Sequence, residues 1–442
     1  MAQPLTRDNY VSVIKKAVGR KKFRCSTREA VYDAIKSELE QNHQIEPNPF
    51  ILNNILDQIC QQIIEVNLSK EIKWIPDFNT VEERDAFYDK LTETIQVPEE
   101  YEARWQQYNF LLNIPQPAQR TPEWFEMRNN MITASSSAQA IGESKYDKPD
   151  KLILEKIGFG DKFKENKFVH HGKKYEKIAT MIYEHMYNVK VGEFGLIPHP
   201  TISFLGASPD GIAMNTTLAG DFSPMVGRML EIKCPMSRTI LTEGKEDGEI
   251  CPHYYWTQVQ QQLECCDLEE CDFWQCNIKE CDYEEWEQEV ETVHTEGQNQ
   301  GMEVDKRVTK GIILQLLPKN HKLERYEKME WYGKYIYPYT LTFQTDKQYY
   351  EWVEHMTINW AYFYRDLEKD YYLDKPLYWR LESSHNYLIK RDRDWFANTL
   401  PKLKAFWDRV LLYRENEEER NKFLESKKKP VAVAEVVDLF DD

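Results

Sequence analysis

Apolar positions recur at helical spacing along much of this chain. Between Phe168 and Tyr187, residues Tyr175, Ile178, Ala179, Ile182 and Met186 fall on one stripe, which predicts an amphipathic helix. Tyr254 to Cys266 reads as a second helix. Leu400, Leu403, Phe406 and Trp407 predict a third nearer the C-terminus. Ser26-Thr27-Arg28-Glu29 has the form of a capping box and opens a helix carrying Ala30, Val31, Ile35 and Leu39. Helical spacing continues from Phe50 to Ile64, and one or two further helices are expected within 81–112. Shorter apolar runs bounded by turn residues predict strands at 194–206, 211–214, 228–233, 273–279 and 311–316. The polar stretch 287–309, with Glu296-Gly297-Gln298-Asn299-Gln300-Gly301, predicts an exposed loop.

These elements divide the chain into a helical N-terminal domain (1–112), a linker (113–122), a mixed core (123–317), an aromatic-rich extension (318–420) and a charged tail (421–442). Two X-Pro steps, Ile114-Pro115 and Gln116-Pro117, resist helix and mark the linker. The fold class expected is α/β (α+β), with a mainly helical C-terminal extension.

Charge narrows the partners. With 57 basic against 74 acidic residues the net charge is −17, which argues against indiscriminate coating of DNA. Positive charge is concentrated locally. Residues 15–28 carry Lys15, Lys16, Arg20, Lys21, Lys22, Arg24 and Arg28 with no acid, and 162–177 carry six lysines and two histidines against two glutamates. Lys21, Lys22, Arg24, Lys173 and Lys174 are therefore the expected DNA contacts. Nine cysteines suit a reduced, intracellular protein. Cys266, Cys271, Cys276 and Cys281 step by five, without a Cys-x-x-Cys pair. A step of five along a strand alternates faces, so buried thiols are expected rather than a cluster. No run reaches the ~18 apolar residues of a membrane span, and Met1-Ala2-Gln3-Pro4 lacks a secretory apolar region. The ending Asp438-Leu439-Phe440-Asp441-Asp442 reads as an acidic tail.

The densest chemistry lies at 208–233. Ser208-Pro209-Asp210-Gly211 places a carboxylate on a tight turn, and Leu230-Glu231-Ile232-Lys233 places a carboxylate and an ammonium two apart on a strand. Alternate strand residues share a face, so Glu231 and Lys233 point together while Ile232 points into the core. Taken alone, Asp210-Gly211 reads as an ordinary hairpin turn and Glu231-Ile232-Lys233 as a solvated strand face; it is the ordered set that points elsewhere. Paired carboxylates beside a lysine can hold Mg²⁺ and activate water for phosphodiester cleavage.

Further features fall around them in order: Trp124-Phe125-Glu126-Met127-Arg128 and Ile132-Thr133-Ala134-Ser135, then His171-Gly172-Lys173-Lys174-Tyr175-Glu176, and after the two carboxylates Tyr255-Trp256-Thr257-Gln258-Val259-Gln260. The ordered set resembles the lambda exonuclease-like, YqaJ-type viral recombinase branch of the PD-(D/E)xK nuclease superfamily, over about residues 120 to 280. Tyr378-Trp379-Arg380-Leu381-Glu382, Lys390 to Phe396 and Leu400-Pro401-Lys402-Leu403 resemble the C-terminal part of homologues from large nucleocytoplasmic DNA viruses. The phage enzyme lacks counterparts to 1–112 and to this third region, so its ring-shaped trimer does not carry over.

The resemblance implies a restriction-endonuclease-like core with Mg²⁺, or Mn²⁺, held by Glu176, Asp210, Glu231 and the backbone carbonyl of Ile232. Lys233 would position or deprotonate the attacking water. Gln258 would orient that water or the lysine, although Gln260, Gln261 and Gln262 crowd the same segment. Arg128, Ser135 and Ser208 would hold a 5′-phosphate. The implied activity is 5′→3′ exonucleolytic degradation of double-stranded DNA ends in viral recombination, repair or replication. The implied partners are a single-strand-annealing or single-strand-binding protein and further copies of the chain. The implied location is the host cytoplasm, a viral factory or the virion. The alternatives are a structure-specific endonuclease and a non-catalytic DNA-end-binding or virion structural protein.

Overall fold

A computed structural model describes residues 78–117, 121–160, 166–288, 294–297, 302–320, 330–343 and 345–427. The expected helix at 26–39, the basic run 15–28 and the acidic ending lie outside them.

Twelve strands and twelve helices succeed one another in the described residues. Helices α1 (Val81–Thr92), α2 (Glu102–Asn113) and α3 (Pro122–Asn129) precede β1 (Ile132–Thr133), α4 (Ser137–Ala140), α5 (Pro149–Lys156) and the long α6 (Lys167–Tyr187). Then come β2 (Val191–Gly192), β3 (Ile197–Pro198), β4 (Leu205–Ala207), β5 (Gly211–Ala213), β6 (Met229–Lys233), α7 (His253–Cys266) and β7 (Glu270–Cys281). The remainder is α8 (Tyr283–Glu287), β8 (His294–Gly297), β9 (Met302–Glu303), β10 (Lys310–Pro318), β11 (Lys334–Ile336), α9 (Asp346–Phe363), α10 (Arg365–Asp370), β12 (Tyr371–Lys390), α11 (Arg393–Glu415) and α12 (Glu417–Lys427).

The principal sheet runs β11-β10-β12-β7-β6-β5-β2, with the pair β8-β9 attached to β12, and a small second sheet runs β1-β4-β3. Within it β6 and β7 are parallel, with Glu231 opposite Phe273, and α7 is the crossover between them. Strand alternation divides the core. Leu230, Ile232, Trp274, Cys276 and Ile278 face α6 through Tyr175, Ile178, Ala179 and Ile182. Met229, Cys271 and Phe273 face α7 through Val259, Leu263 and Cys266. Cys271 and Cys276 thus sit in opposite layers, as their spacing predicted. Both helices are set by their ends. Asn166 caps α6 by accepting from Phe168 N (3.0 Å) and Val169 N (3.1 Å), and left-handed Asn188 and Asp267 close α6 and α7.

The mixed α/β class and the helices and strands of the core agree with the sequence pattern, with three differences. The 194–206 run is two short strands around a turn, β3 and β4. Within the expected 287–309 loop, β8 adds in parallel to β12 and Val308 is buried in the core. Third, the aromatic-rich region is not only helical. Its strand β12 enters the middle of the sheet, pairing with β10 through its first half and with β7 through its second. Trp379 of β12 is fully buried opposite Gly311, where an added Cβ would lie 2.6 Å from the indole, so only glycine fits. Helices α1 and α2 pack Tyr88, Tyr108 and Leu111 against Ile212 and Met229 of this sheet. Helix α12 occupies residues placed at the start of the charged tail and stacks Phe423 on Tyr413 of α11.

Candidate active site

Asp210, Glu231 and Lys233 meet at the edge where β5 and β6 run antiparallel. Gly211 opposes Leu230, so the preceding Asp210 lies beside Glu231. Asp210 Oδ2 accepts from Ile232 N at 2.7 Å, fixing the turn to the strand. Glu231 is fully buried. Its Oε1 accepts from Gln258 Nε2 and its Oε2 from Gln262 Nε2, both at 2.7 Å. Gln258 and Gln262 are one turn apart on α7 and share a face. The crowded glutamines are thereby resolved. Gln261 donates to Ile132 O and Gly206 O, and Gln260 donates to Lys390 O and accepts from Asp392 N.

Lys233 Nζ bonds Glu231 Oε1 and lies 4.5 Å from the centroid of the Tyr255 ring. Burial would push the ammonium down, but Glu231 and Asp210 outweigh it and hold it above its ordinary range. Burial pushes the Asp210 carboxyl well above the carboxylate range; Glu231 and Glu176 add to this, and Lys233 and the Ile232 N–H oppose it. Glu176 of α6 is exposed at its outer surface, yet the crowding of its carboxyl by neighbouring atoms raises it, with Lys233 opposing and Glu231 adding to the shift. Three carboxylates therefore share one lysine. Among the described residues no three His, Cys, Asp or Glu side chains already surround a common point.

A separate group of cations gathers at the ends of α3 and α5. Arg128 lies in the last turn of α3, its guanidinium 4.6 Å over the Trp124 ring. Lys156 of α5 donates to Arg128 O at 2.6 Å. Arg414 of α11 donates to Lys156 O and Asn129 O, both at 2.7 Å, and to Asn130 Oδ1 at 3.0 Å, closing the ends of α3 and α5 together. None of the three cations has an ion pair among the described residues. Burial, then Arg128 and Arg414, push Lys156 down to about 8. Parallel β1 and β4 pair Thr133 with Gly206, which brings Ser135 and Ser208 to the same strand ends. Ser208 Oγ and Trp124 Nε1 are buried without a hydrogen-bond partner. Unpaired cations beside buried donors are a setting for an anion.

Residues 123–269 match the YqaJ-like viral recombinase domain. This segment contains every residue of the carboxylate and cation groups except Arg414, and the family resemblance read from the motifs is borne out there. An uncharacterized protein of Acanthamoeba polyphaga mimivirus is 39% identical over 312 residues, covering 70% of this chain and 56% of the relative. The chain thus spans about half the length of that relative. An alkaline exonuclease of Laribacter hongkongensis, alone and with dAMP, superimposes with TM-scores of 0.34 and 0.35 at 19% identity, over 69% of this chain and all of its own.

Of the expected DNA contacts, Lys174 is corrected. It is buried, pairs with Glu280 Oε1 at 2.5 Å and is directed away from solvent. Lys177 of the same basic stretch is engaged by Asp85 and Glu193. Lys173 is exposed, and Lys21, Lys22 and Arg24 lie outside the described residues. Sequence reading of the YqaJ-like segment missed Gln262 and Lys156. The i, i+4 relation to Gln258 would have marked Gln262; nothing local marks Lys156, whose neighbours arrive from α3 and α11.

Proposed function

We propose that this protein is a metal-dependent deoxyribonuclease that degrades double-stranded DNA from 5′-phosphorylated ends, 5′→3′, in viral DNA recombination or repair. The observation that carries the reading is the convergence of Asp210, Glu231 and Lys233 where the β5 and β6 strands meet, with Ser208, whose buried hydroxyl has no partner, on the same turn as Asp210. The match to a viral recombinase domain supports the same reading.

The donor set fits a hard divalent cation. Glu176, Asp210 and Glu231 supply carboxylate oxygens near one ammonium, Lys233, and burial first, then Glu231 and Glu176, raise Asp210. These residues, with the Ile232 carbonyl, would hold Mg²⁺ or Mn²⁺, which supplies Lewis acidity toward the phosphate and an activated water. Gln258 and Gln262 fix both oxygens of Glu231. Lys233 presents positive charge toward the scissile phosphate and orients the attacking oxygen. Arg128, Ser135 and Ser208 grip the terminal phosphate, whose dianion suits a guanidinium and two hydroxyls. Lys173 and the segment with Lys21, Lys22 and Arg24 contact the duplex beyond the site.

The test is strand-specific end-labelled linear duplex, with and without the 5′-phosphate, beside closed circular DNA, in Mg²⁺ and in EDTA. The expected result is loss of 5′ label first, slowed on 5′-hydroxyl ends, with circles intact and EDTA inhibitory. Nicking of circles would favour the endonuclease; binding of ends without cleavage would favour a non-catalytic role.

A further inference from the structure

Three tyrosines lead outward from Lys233. The ring of Tyr255 lies under Lys233 Nζ at 4.5 Å. Tyr254 packs on Tyr255 with ring centroids 4.3 Å apart. Tyr146 meets Tyr254 edge to face at 5.4 Å, and their hydroxyls are 3.4 Å apart. The chain of rings ends in solvent, for Tyr146 is 67% exposed. Lys145 Nζ stands 5.5 Å from the Tyr146 ring centroid. Tyr146 comes from the turn before α5 and the other two from the first turn of α7, so separate parts of the chain assemble the row.

We propose that Tyr146 and Tyr254 form a stacking platform for unpaired nucleobases of the strand that enters the Glu231–Lys233 site, with Lys145 beside the adjoining phosphate. The inference rests on the nuclease reading and adds how the strand is received. Every base has a π-face, so aromatic stacking holds a strand without selecting its sequence. A tyrosine offers that face while its hydroxyl stays hydrated. Bases inside a duplex are covered by their neighbours, so apart from the outer face of the last pair only an unpaired base can lie on such a ring. The row is continuous with Lys233, and this selects the reacting strand as the occupant.

The experiment is binding, in EDTA, of a labelled oligothymidylate of about twelve nucleotides and of the same backbone with abasic sugars, followed by fluorescence anisotropy. Wild type should bind the oligothymidylate roughly 10-fold more tightly than the abasic strand, since only the former offers bases to stack. Tyr146→Ala and Tyr254→Leu should each remove most of that preference and leave abasic binding unchanged. Tyr146 is exposed, so its replacement preserves the fold. Equal affinity of wild type for both strands, or a preference that survives both substitutions, overturns the platform. Cleavage of linear duplex is measured in parallel. Intact cleavage without base preference removes the platform alone. Absence of cleavage by wild type removes the nuclease reading and leaves the anisotropy to decide the platform.

Discussion

Gln262 donates to Glu231 Oε2 at 2.7 Å inside the core, where neither residue reaches solvent. A buried carboxylate oxygen that loses its donor bears the full cost of desolvation. Gln262→Leu should therefore lower kcat by about 10- to 100-fold, the range found when the support of a metal ligand is removed, and raise the Mg²⁺ concentration needed for half-maximal rate. A Mg²⁺ titration of the variant at saturating DNA checks it. An unchanged midpoint would make Gln262 a packing residue only.

Asp210 should link activity to stability with opposite signs. Its carboxyl is raised by burial and by Glu231 and Glu176, so the folded state holds a proton that the unfolded state has released. The site therefore costs stability as pH rises from the unfolded value of about 4 through the folded one. Asp210→Asn should abolish cleavage, retain DNA binding and raise Tm in EDTA at neutral pH. Calorimetry beside a cleavage assay measures both, and a lowered Tm with residual cleavage would contradict the assignment.

His253 bridges two segments, with Nδ1 2.8 Å from Asp247 and Nε2 2.8 Å from Glu143. Partial burial pushes its imidazole down, but hydrogen bonds to Glu143 and Asp247 outweigh this and raise it. The pinning is then complete below the unfolded value of about 6.5 and is lost as pH rises through the raised folded value. Hydrogen exchange corrected for intrinsic rates should show residues 243–252 opening across that window in wild type. In His253→Gln the same segment should show no pH dependence.

Arg414 holds the ends of α3 and α5 through charged hydrogen bonds to Asn129 O and Lys156 O. Arg414→Ala should cost about 1.5–3 kcal/mol of stability, the range for hydrogen bonds to charged groups. It should also raise KM for 5′-phosphorylated ends more than for 5′-hydroxyl ends, because Arg128 and Lys156 both lose their mounting. Arg414→Lys should rescue little, since a point donor does not match the planar fork. Equal KM changes on both ends would confine Arg414 to stability.

What the sequence made legible follows the range of the forces involved. Helix α6 and strands β5, β6 and β7 were read correctly because their periodicity is local. Asp210, Glu231 and Lys233 were read because they lie within one short antiparallel unit. β12 was not. Pro376 interrupts its pattern, and Ser384, His385 and Asn386 are buried in succession between β7 on one side and β8 on the other rather than alternating. Lys174 misled for a related reason: the acid that neutralises it, Glu280, is more than a hundred residues away. The glutamines of α7 were indistinguishable in sequence because their partners come from distant parts of the chain: β1, β4, β6 and the residues at and just after the end of β12.

The position of β12 also sets the order in which the molecule can be completed on the ribosome. When residue 317 has been added, β6 and β7 can pair, yet one edge of β7 and one edge of β10 still wait for a strand that begins at residue 371, and the other edge of β10 waits for β11. A nascent chain of that length carries open, apolar edges on β7 and on both sides of β10, which are templates for pairing with a neighbouring chain. A gene fragment ending with the matched domain at residue 269 would stop before β7 itself. Such a fragment should be recovered as aggregate, whereas one extended past residue 390 has the strand that seals the sheet.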